Sequence, residues 1–320
     1  VILKKFLRIR GLRVYFNTPE GLVKAIDNVE LDVYEGEVLA IVGESGSGKS
    51  VLGLTILGLL PSNTIIKGSI IYDSINLVGL SENTLRKIRG TKIAWIPQDT
   101  DASLNPVLKV GFQIAETPLE HGKLNKNLIW DFSEKLLELL GVKPPFLRAR
   151  EYPHQLSGGM KQRVLVAIGV SGNPRLLIVD EPTKGIDVIR KRKLLNLFKN
   201  IKNSNPKLTI LLITHDIKFI EELADRIAVM YCGQIAEVST KTRFFTEPLH
   251  PYSKMLLESL PSRGLKPIPG EPPSMINPPM GCRFHPRCPY LLDTCRVLEP
   301  PLVEVNGNYV KCWKYVSDQQ

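Results

Sequence analysis

Apolar and polar positions alternate through residues 1–42, broken at Asn17-Thr18-Pro19-Glu20-Gly21 and at Glu35-Gly36-Glu37. A period of two with such turn residues predicts antiparallel strands. The alternation gives way to an unbroken apolar run, Val38 to Val42, then a glycine-rich stretch, then a helical-looking run from Val51 to Leu60. Next come a strand-like Gly68 to Ile75, a helical Ser81 to Arg89, and the strand-like Lys92 to Ile96 ending at Pro97-Gln98-Asp99. From Ala102 to about Asn173 the character is helical. Phe132, Leu136, Leu137 and Leu140 recur at helical spacing and are closed by Gly141 and Pro144-Pro145. Arg175 to Val179, Thr209 to Ile213 and Ile227 to Cys232 read as further apolar strands. Beyond about Thr240 the pattern changes. Pro267, Pro269, Pro272, Pro273 and Pro278 crowd the stretch from Pro261 to Pro279, which predicts an extended, semi-rigid connector.

The strand, glycine-rich loop and helix in that order make Gly43-Glu44-Ser45-Gly46-Ser47-Gly48-Lys49-Ser50 a P-loop pattern, G-x-x-x-x-G-K-[ST]. Gly43, Ser45, Gly46 and Gly48 belong to a loop whose amides turn inward on phosphate oxygens. The following helix adds its positive end. Lys49 is expected to reach the β- and γ-phosphates and Ser50 to hold Mg²⁺. The strand ending in Asp180-Glu181 supplies two carboxylates suited to the same chemistry, Asp180 toward Mg²⁺ and Glu181 toward the attacking water. Gln98, at a strand end, offers a neutral carbonyl ligand, and His215 a donor to the γ-phosphate, though a histidine there also fits a merely satisfied polar residue. Ser157-Gly158-Gly159 stands directly before a helix, a second anion-binding terminus. Phe16, with Tyr15 beside it, offers an aromatic face for a base, as a core aromatic equally would.

Composition narrows the setting. A chain of 320 residues, 43% hydrophobic and 23% charged, is that of an ordinary globular protein of two or three units. No apolar run reaches the ~18 residues a spanning helix requires. The start, Val1-Ile2-Leu3-Lys4-Lys5, has no signal-peptide pattern, so a cytoplasmic location is expected. The net charge of +10 permits nucleic acid, an anionic membrane surface or nucleotide as partner. Without a zinc finger, helix-turn-helix or RNP pattern, nucleic acid is not expected. The run Arg190 to Lys193 reads as a solvated helical face.

Taken together, these residues resemble the nucleotide-binding subunit of an ABC transporter: the Walker A loop, Gln98, the Leu156-Ser157-Gly158-Gly159 signature, Asp180-Glu181, the loop through Asp187, and His215, all in the family's order. The likeness covers about residues 6–240. Ala102-Ser103-Leu104-Asn105-Pro106, Tyr152-Pro153-His154, Leu249-His250-Pro251-Tyr252 and the cysteine-bearing tail are similar to the dipeptide/oligopeptide and nickel uptake branch. The resemblance implies an α/β fold: a P-loop NTPase (RecA-like) core with an antiparallel β-subdomain (1–101 and 174–240), an inserted helical subdomain (102–173) and a small Cys/Pro-rich C-terminal domain (241–320). It implies ATP hydrolysis driving import through two transmembrane permease subunits, at the cytoplasmic face of the membrane, with an extracellular solute-binding protein upstream. A second, similar ATPase subunit would complete a heterodimer, in which Ser157 and Gly159 of one chain face the ATP held by the other. Phe16 is the position that matches adenine stacking. Met160 replaces the Gln common in the wider superfamily, and Lys184-Gly185-Ile186 precede Asp187 where small residues and Leu are more usual. A soluble ABC ATPase of DNA repair or translation is the rival reading; its usual coiled-coil insertion or second cassette is absent from this sequence. An iron–sulfur redox protein that uses ATP is another.

Four of the five cysteines, Cys282, Cys288, Cys295 and Cys312, lie in the tail, and Cys232 in a strand-like run where it packs as a small apolar residue. Disulfides disagree with a cytosolic chain outside hyperthermophiles. Zinc accepts four thiolates but usually from two close C-x₂₋₄-C pairs, which this spacing lacks. An iron–sulfur cluster tolerates wider loops. The resemblance favours a [4Fe–4S] cluster over Zn²⁺, as a structural staple for a short tail.

Overall fold

The computed structural model describes residues 4–316. Val1 to Leu3, part of the stretch read for a leader pattern, lie outside them. The described residues fall into two compact units: those up to Gly79 together with those from Ile213 onward, and Leu80–Leu212.

In the first unit the alternating segment forms β1 (Lys5–Thr18) and β2 (Gly21–Tyr34), paired antiparallel, with β3 (Val38–Val42) after the next turn. Helix α1 (Lys49–Leu57) follows the glycine-rich loop, then β4 (Thr64–Tyr72) and the short β5 (Ile75–Asn76). The sheet order is β2-β1-β4-β5. β4 begins earlier than its sequence pattern indicates, because Ile65 and Ile66 take partners Tyr15 and Val14 on β1. Every residue of β3 is buried, which is what an all-apolar strand covered on both faces requires.

The second unit holds α2 (Glu82–Ile88), β6 (Ile93–Ile96), α3 (Thr100–Ser103), α4 (Val110–Glu120), α5 (Ile129–Leu139), α6 (Pro145–Arg148) and α7 (Gly158–Ser171). It continues through β7 (Leu176–Asp180), parallel to β6, then α8 (Val188–Ser204) and β8 (Thr209–Ile213), whose last residue opens the return to the first unit. The buried face of α5 agrees with the expected one in part: Leu137 and, just past the helix, Leu140 are buried, together with Ile129 and Ser133, while Phe132 and Leu136 are only half-buried. Ser133 is tolerated there because its hydroxyl donates to the Gly111 carbonyl at 2.7 Å, so no polar atom is stranded.

Back in the first unit, α9 (Ile217–Leu223), β9 (Arg226–Tyr231) and β10 (Gln234–Thr240) lead into α10 (Lys241–Thr246) and α11 (Pro251–Glu258). The proline stretch is largely irregular, as its composition predicts, although it starts with a 3₁₀ turn at Pro261–Arg263. Beyond it lie α12 (Thr294–Val297), β11 (Val303–Val305) and β12 (Asn308–Val310). β3 pairs parallel with β9; β10 pairs antiparallel with both β9 and β12, and β12 with β11. The tail is thus stitched into the sheet that carries the glycine-rich loop. Asn308 Oδ1 accepts from the Thr240 amide at 2.9 Å, and Tyr315 donates its hydroxyl to the Leu249 carbonyl at 3.1 Å.

His250 fixes the turn before α11. Its Nδ1 accepts from the Tyr252 amide at 3.0 Å and its own amide donates to Glu237 at 2.7 Å. Complete burial holds its pKa down at about 3, below the ordinary 6.5. The folded protein therefore keeps this ring neutral while the unfolded chain takes up a proton below pH 6.5. Stability from this group is lost as pH falls from 6.5 toward 3, by up to about 1.4 kcal/mol per pH unit. Wild-type protein taken from pH 7 to pH 5 is expected to lose several degrees more in thermal midpoint than His250→Asn, which keeps a cap and does not titrate. Equal losses in scanning calorimetry would remove His250 as the acid-sensitive group.

Candidate functional site

The loop between β3 and α1 is wedged against two other backbones. Gly43 has φ +152°, and a Cβ there would stand 2.0 Å from the Met230 carbonyl oxygen; Gly48, at φ +102°, would put one 2.3 Å from that of Ala25. Only glycine permits such approach. Lys49 is buried, and its Nζ donates to the carbonyls of Gly43 at 2.9 Å and Glu44 at 2.8 Å and to Ser47 Oγ at 3.4 Å. Its ammonium thus sits in the hollow that the loop encloses. α1 starts at this residue with no side-chain cap. Ser45 and Gly46 are exposed, Ser50 half-buried.

Two further residues hold this loop: Tyr252, which the sequence marked only as part of the Leu249-His250-Pro251-Tyr252 motif, and Arg287, which sequence reasoning missed. The Glu44 amide donates to the Tyr252 hydroxyl at 2.9 Å, and the Glu44 carboxylate accepts a two-pronged pair from Arg287 at 2.8 and 3.0 Å. Both partners lie more than 200 residues along the chain, so no local spacing announces them. Nearby, Phe16 is half-buried on β1 opposite Val23 and Thr64. Its neighbour Tyr15 is tied by its hydroxyl to Asp27 at 2.6 Å, and burial with that bond pushes its pKa up to about 12. His215 is exposed and follows Thr214, whose amide donates to the Ile41 carbonyl on β3 at 3.2 Å.

The remaining candidates lie in the second unit. β7 is buried throughout, and Asp180 at its end is 4% exposed. Glu181 follows at φ +46°, a left-handed conformation that costs a non-glycine residue about 1–2 kcal/mol and turns the chain sharply beyond the strand. Gln98 is exposed just past β6. It lines a cleft of about 450 Å³ with Lys161 and Gln162 of α7 and with Lys184, Gly185 and Ile186. Ser157 caps α7, its hydroxyl accepting from the Met160 amide at 3.4 Å, and a Cβ on Gly159 would meet nothing within 4 Å. These two line a second cleft of about 290 Å³ beside Arg163, Arg190 and Lys193. Cationic side chains at the start of a 14-residue helix make an anion-favouring surface. Asp187 caps α8 through the Arg190 amide at 2.9 Å, which holds its pKa below the ordinary value.

The four tail cysteines are thiols, and each lies within electrostatic reach of the other three. The Cys282 amide donates to the Cys295 carbonyl at 2.9 Å. Burial pushes Cys282 up to about 12 and raises Cys288 and Cys312, each further opposed by the neighbouring sulfurs. A metal-bearing group among them would offset that cost, since it binds thiolates and releases their protons. Among the described residues no three His, Cys, Asp or Glu side chains are gathered as a single metal ion requires. Cys232 is buried at the end of β9, as its apolar setting predicts.

Comparison with known proteins matches residues 26–184 to the ABC transporter family model and residues 236–295 to that of the oligopeptide/dipeptide transporter C-terminal region. The dipeptide transport ATP-binding protein DppD of Bacillus subtilis is 41% identical, with 99% of this chain and 96% of that protein covered. The oligopeptide transport ATP-binding protein AppD of the same organism is 42% identical over 98% and 97% of the two chains. The oligopeptide transport ATP-binding protein OppD of Escherichia coli is 37% identical over 98% and 94%. Among solved structures, a dimeric ATP-binding cassette in a post-hydrolysis state with ADP and Pi superposes with a TM-score of 0.65 at 27% identity, covering 73% of this chain and 98% of that one.

The loop geometry separates two glycines. Gly43→Ala must displace main chain of β9 and is expected to destabilise by more than about 2 kcal/mol. Gly46→Ala, with open space at its Cβ, bears only the backbone term of about 1 kcal/mol. Denaturant midpoints of the two variants test this; equal losses would contradict the wedged loop.

Proposed function

The chain belongs to the ABC transporter family, in the group that carries the oligopeptide/dipeptide transporter C-terminal region, and from that membership we propose how its residues work. It is the ATP-hydrolysing subunit of an importer of di- or oligopeptides, acting at the cytoplasmic face of the membrane. No helix among the described residues is long and apolar enough to cross a membrane; the family membership is what supports a solute path through separate permease subunits. The observation that carries the reading is the buried Lys49 ammonium enclosed by the carbonyls of its own loop, at the start of an uncapped helix. When ATP enters, Lys49 exchanges those carbonyls for phosphate oxygens, and the amides from Gly43 to Ser50 close on the same charge.

Phe16 stacks on adenine. Ser50, Gln98 and Asp180 would hold Mg²⁺, which supplies neutralisation of the phosphate charge. Glu181 orients and polarises the attacking water, and His215 donates to the γ-phosphate. Ser157 and Gly159, beside the cationic Arg163 and Lys193, complete the ATP site of a second ATPase subunit. We place that subunit as a similar but distinct chain, and two membrane permeases with an extracellular solute-binding protein above the pair. The helical segment 102–173 receives the permeases, and 241–320 acts as a separate functional region on the core formed by 1–101 and 174–240. No observation favours the DNA-repair or translation alternative. Cys282, Cys288, Cys295 and Cys312 would hold a [4Fe–4S] cluster, which supplies a covalent tie among four segments of the tail. The wide spacing of the four cysteines in the sequence, without two close C-x₂₋₄-C pairs, is the ground for a cluster over Zn²⁺.

Glu181→Gln is expected to lower steady-state ATP turnover by at least about 100-fold while leaving ATP binding intact. Lys49→Ala should lose binding itself. Unimpaired turnover in Glu181→Gln would sink the assignment of the water-activating carboxylate. Anaerobic purification from native membranes is expected to recover two permeases and a second ATPase, with about four iron atoms per chain that Cys288→Ser abolishes. Zinc without iron would select the alternative metal.

A further inference from the structure

The P-loop pattern leaves its second position free, and here it is a carboxylate. A glutamate at that position stands beside the place where a polyanion must bind, and an unpaired charge there would oppose it. Glu44 is not unpaired. Arg287 grips it with both prongs of its guanidinium, at 2.8 and 3.0 Å, and the Arg287 side chain is 4% exposed against 25% for Glu44. The same guanidinium is itself fixed, its Nε donating to the Pro269 carbonyl at 2.8 Å and one Nη to the Tyr231 hydroxyl at 3.2 Å. Tyr231 packs 4.5 Å from Tyr252, whose hydroxyl accepts from the Glu44 amide, and both rings lie against Phe284. Glu44 is therefore held at its main chain by α11 and at its side chain by the tail.

We propose that Arg287 is a positioning residue for ATP binding: it cancels the Glu44 charge and holds that carboxylate clear of the phosphate hollow, so the nucleotide loop is complete only when the tail is docked. This rests on reading the loop as an ATP site. Charge and geometry both enter, because a two-pronged arginine fixes the direction of a carboxylate where a lysine would only neutralise it.

The test is binding of a fluorescent ATP analogue to the full-length chain, with thermal midpoints measured alongside. Arg287→Gln is expected to raise the dissociation constant about tenfold, and Arg287→Lys about threefold. The double variant Glu44→Gln, Arg287→Gln removes both charges and is expected to return to within about threefold of wild type, whatever its thermal midpoint. A merely structural role for Arg287 predicts no such rescue, so a double variant as weak as Arg287→Gln overturns the proposal. So does unchanged affinity in Arg287→Gln or, should that variant not fold, in Arg287→Lys. Failure of the wild-type chain to bind the analogue would instead remove the ATP reading itself.

Discussion

The nucleotide loop depends on closeness. Gly43 and Gly48 sit where a Cβ would collide with carbonyl oxygens of Met230 and Ala25, that is, with the strand beside β3 and with the antiparallel sheet. The loop is thus a seam where main chains from three stretches of sequence meet without side chains between them. That contact keeps the Lys49 ammonium buried with carbonyl partners, rather than hydrated, at the start of a helix that has no side-chain cap. Neighbouring devices serve the same seam: Gly233 donates its amide to the Ser47 carbonyl at 3.0 Å, and Asp27 donates its amide to that of Gly233 at 2.8 Å.

How much of this the sequence discloses depends on the range of the interaction involved. β3, β7 and β8 are legible because a strand buried on both faces is a near-continuous apolar run, broken only by Asp180 at the end of β7 and Thr209 at the start of β8. The glycine-rich loop is legible because its backbone conformations leave few residue choices. The face of α5 is only partly so: hydrophobicity marks Leu137 and Leu140, which are buried, but also Phe132 and Leu136, which are half-buried, and it passes over Ser133, which enters the interior because the Gly111 carbonyl is available. β10, β11 and β12 escaped notice altogether. Two of them are three residues long, and they hold their places through partners such as Thr240 with Asn308, not through any pattern of their own.

The tail shows the same limit from the other side. Its prolines announce irregular backbone, yet they do not tell where the segment docks. Besides the pairing of β12 with β10, docking draws on ion pairs that join residues 256 and 243 positions apart, Arg283 with Asp27 and Arg287 with Glu44. Arg283 also donates to the Cys232 carbonyl, beside the glycine that contacts the loop. Each arginine immediately follows or precedes a cysteine of the four. The residues that would order the tail around a cluster and the residues that reach the nucleotide loop are therefore neighbours in sequence.

That adjacency bears on why a basic protein places an acidic side chain in its phosphate loop at all. A surplus of +10 charges would attract ATP without help, and a neutral residue in place of Glu44 would bind phosphate no worse by electrostatics alone. What the carboxylate adds is a handle. A part-buried pair contributes little net stability, because desolvation offsets most of the attraction, but breaking it is costly once one charge is left without its partner. Glu44 and Arg287 therefore make the loop's electrostatics conditional: favourable to a polyanion with the tail in place, unfavourable without it. A hydrophobic contact in the same position would hold the tail as firmly and convey nothing to the phosphate site.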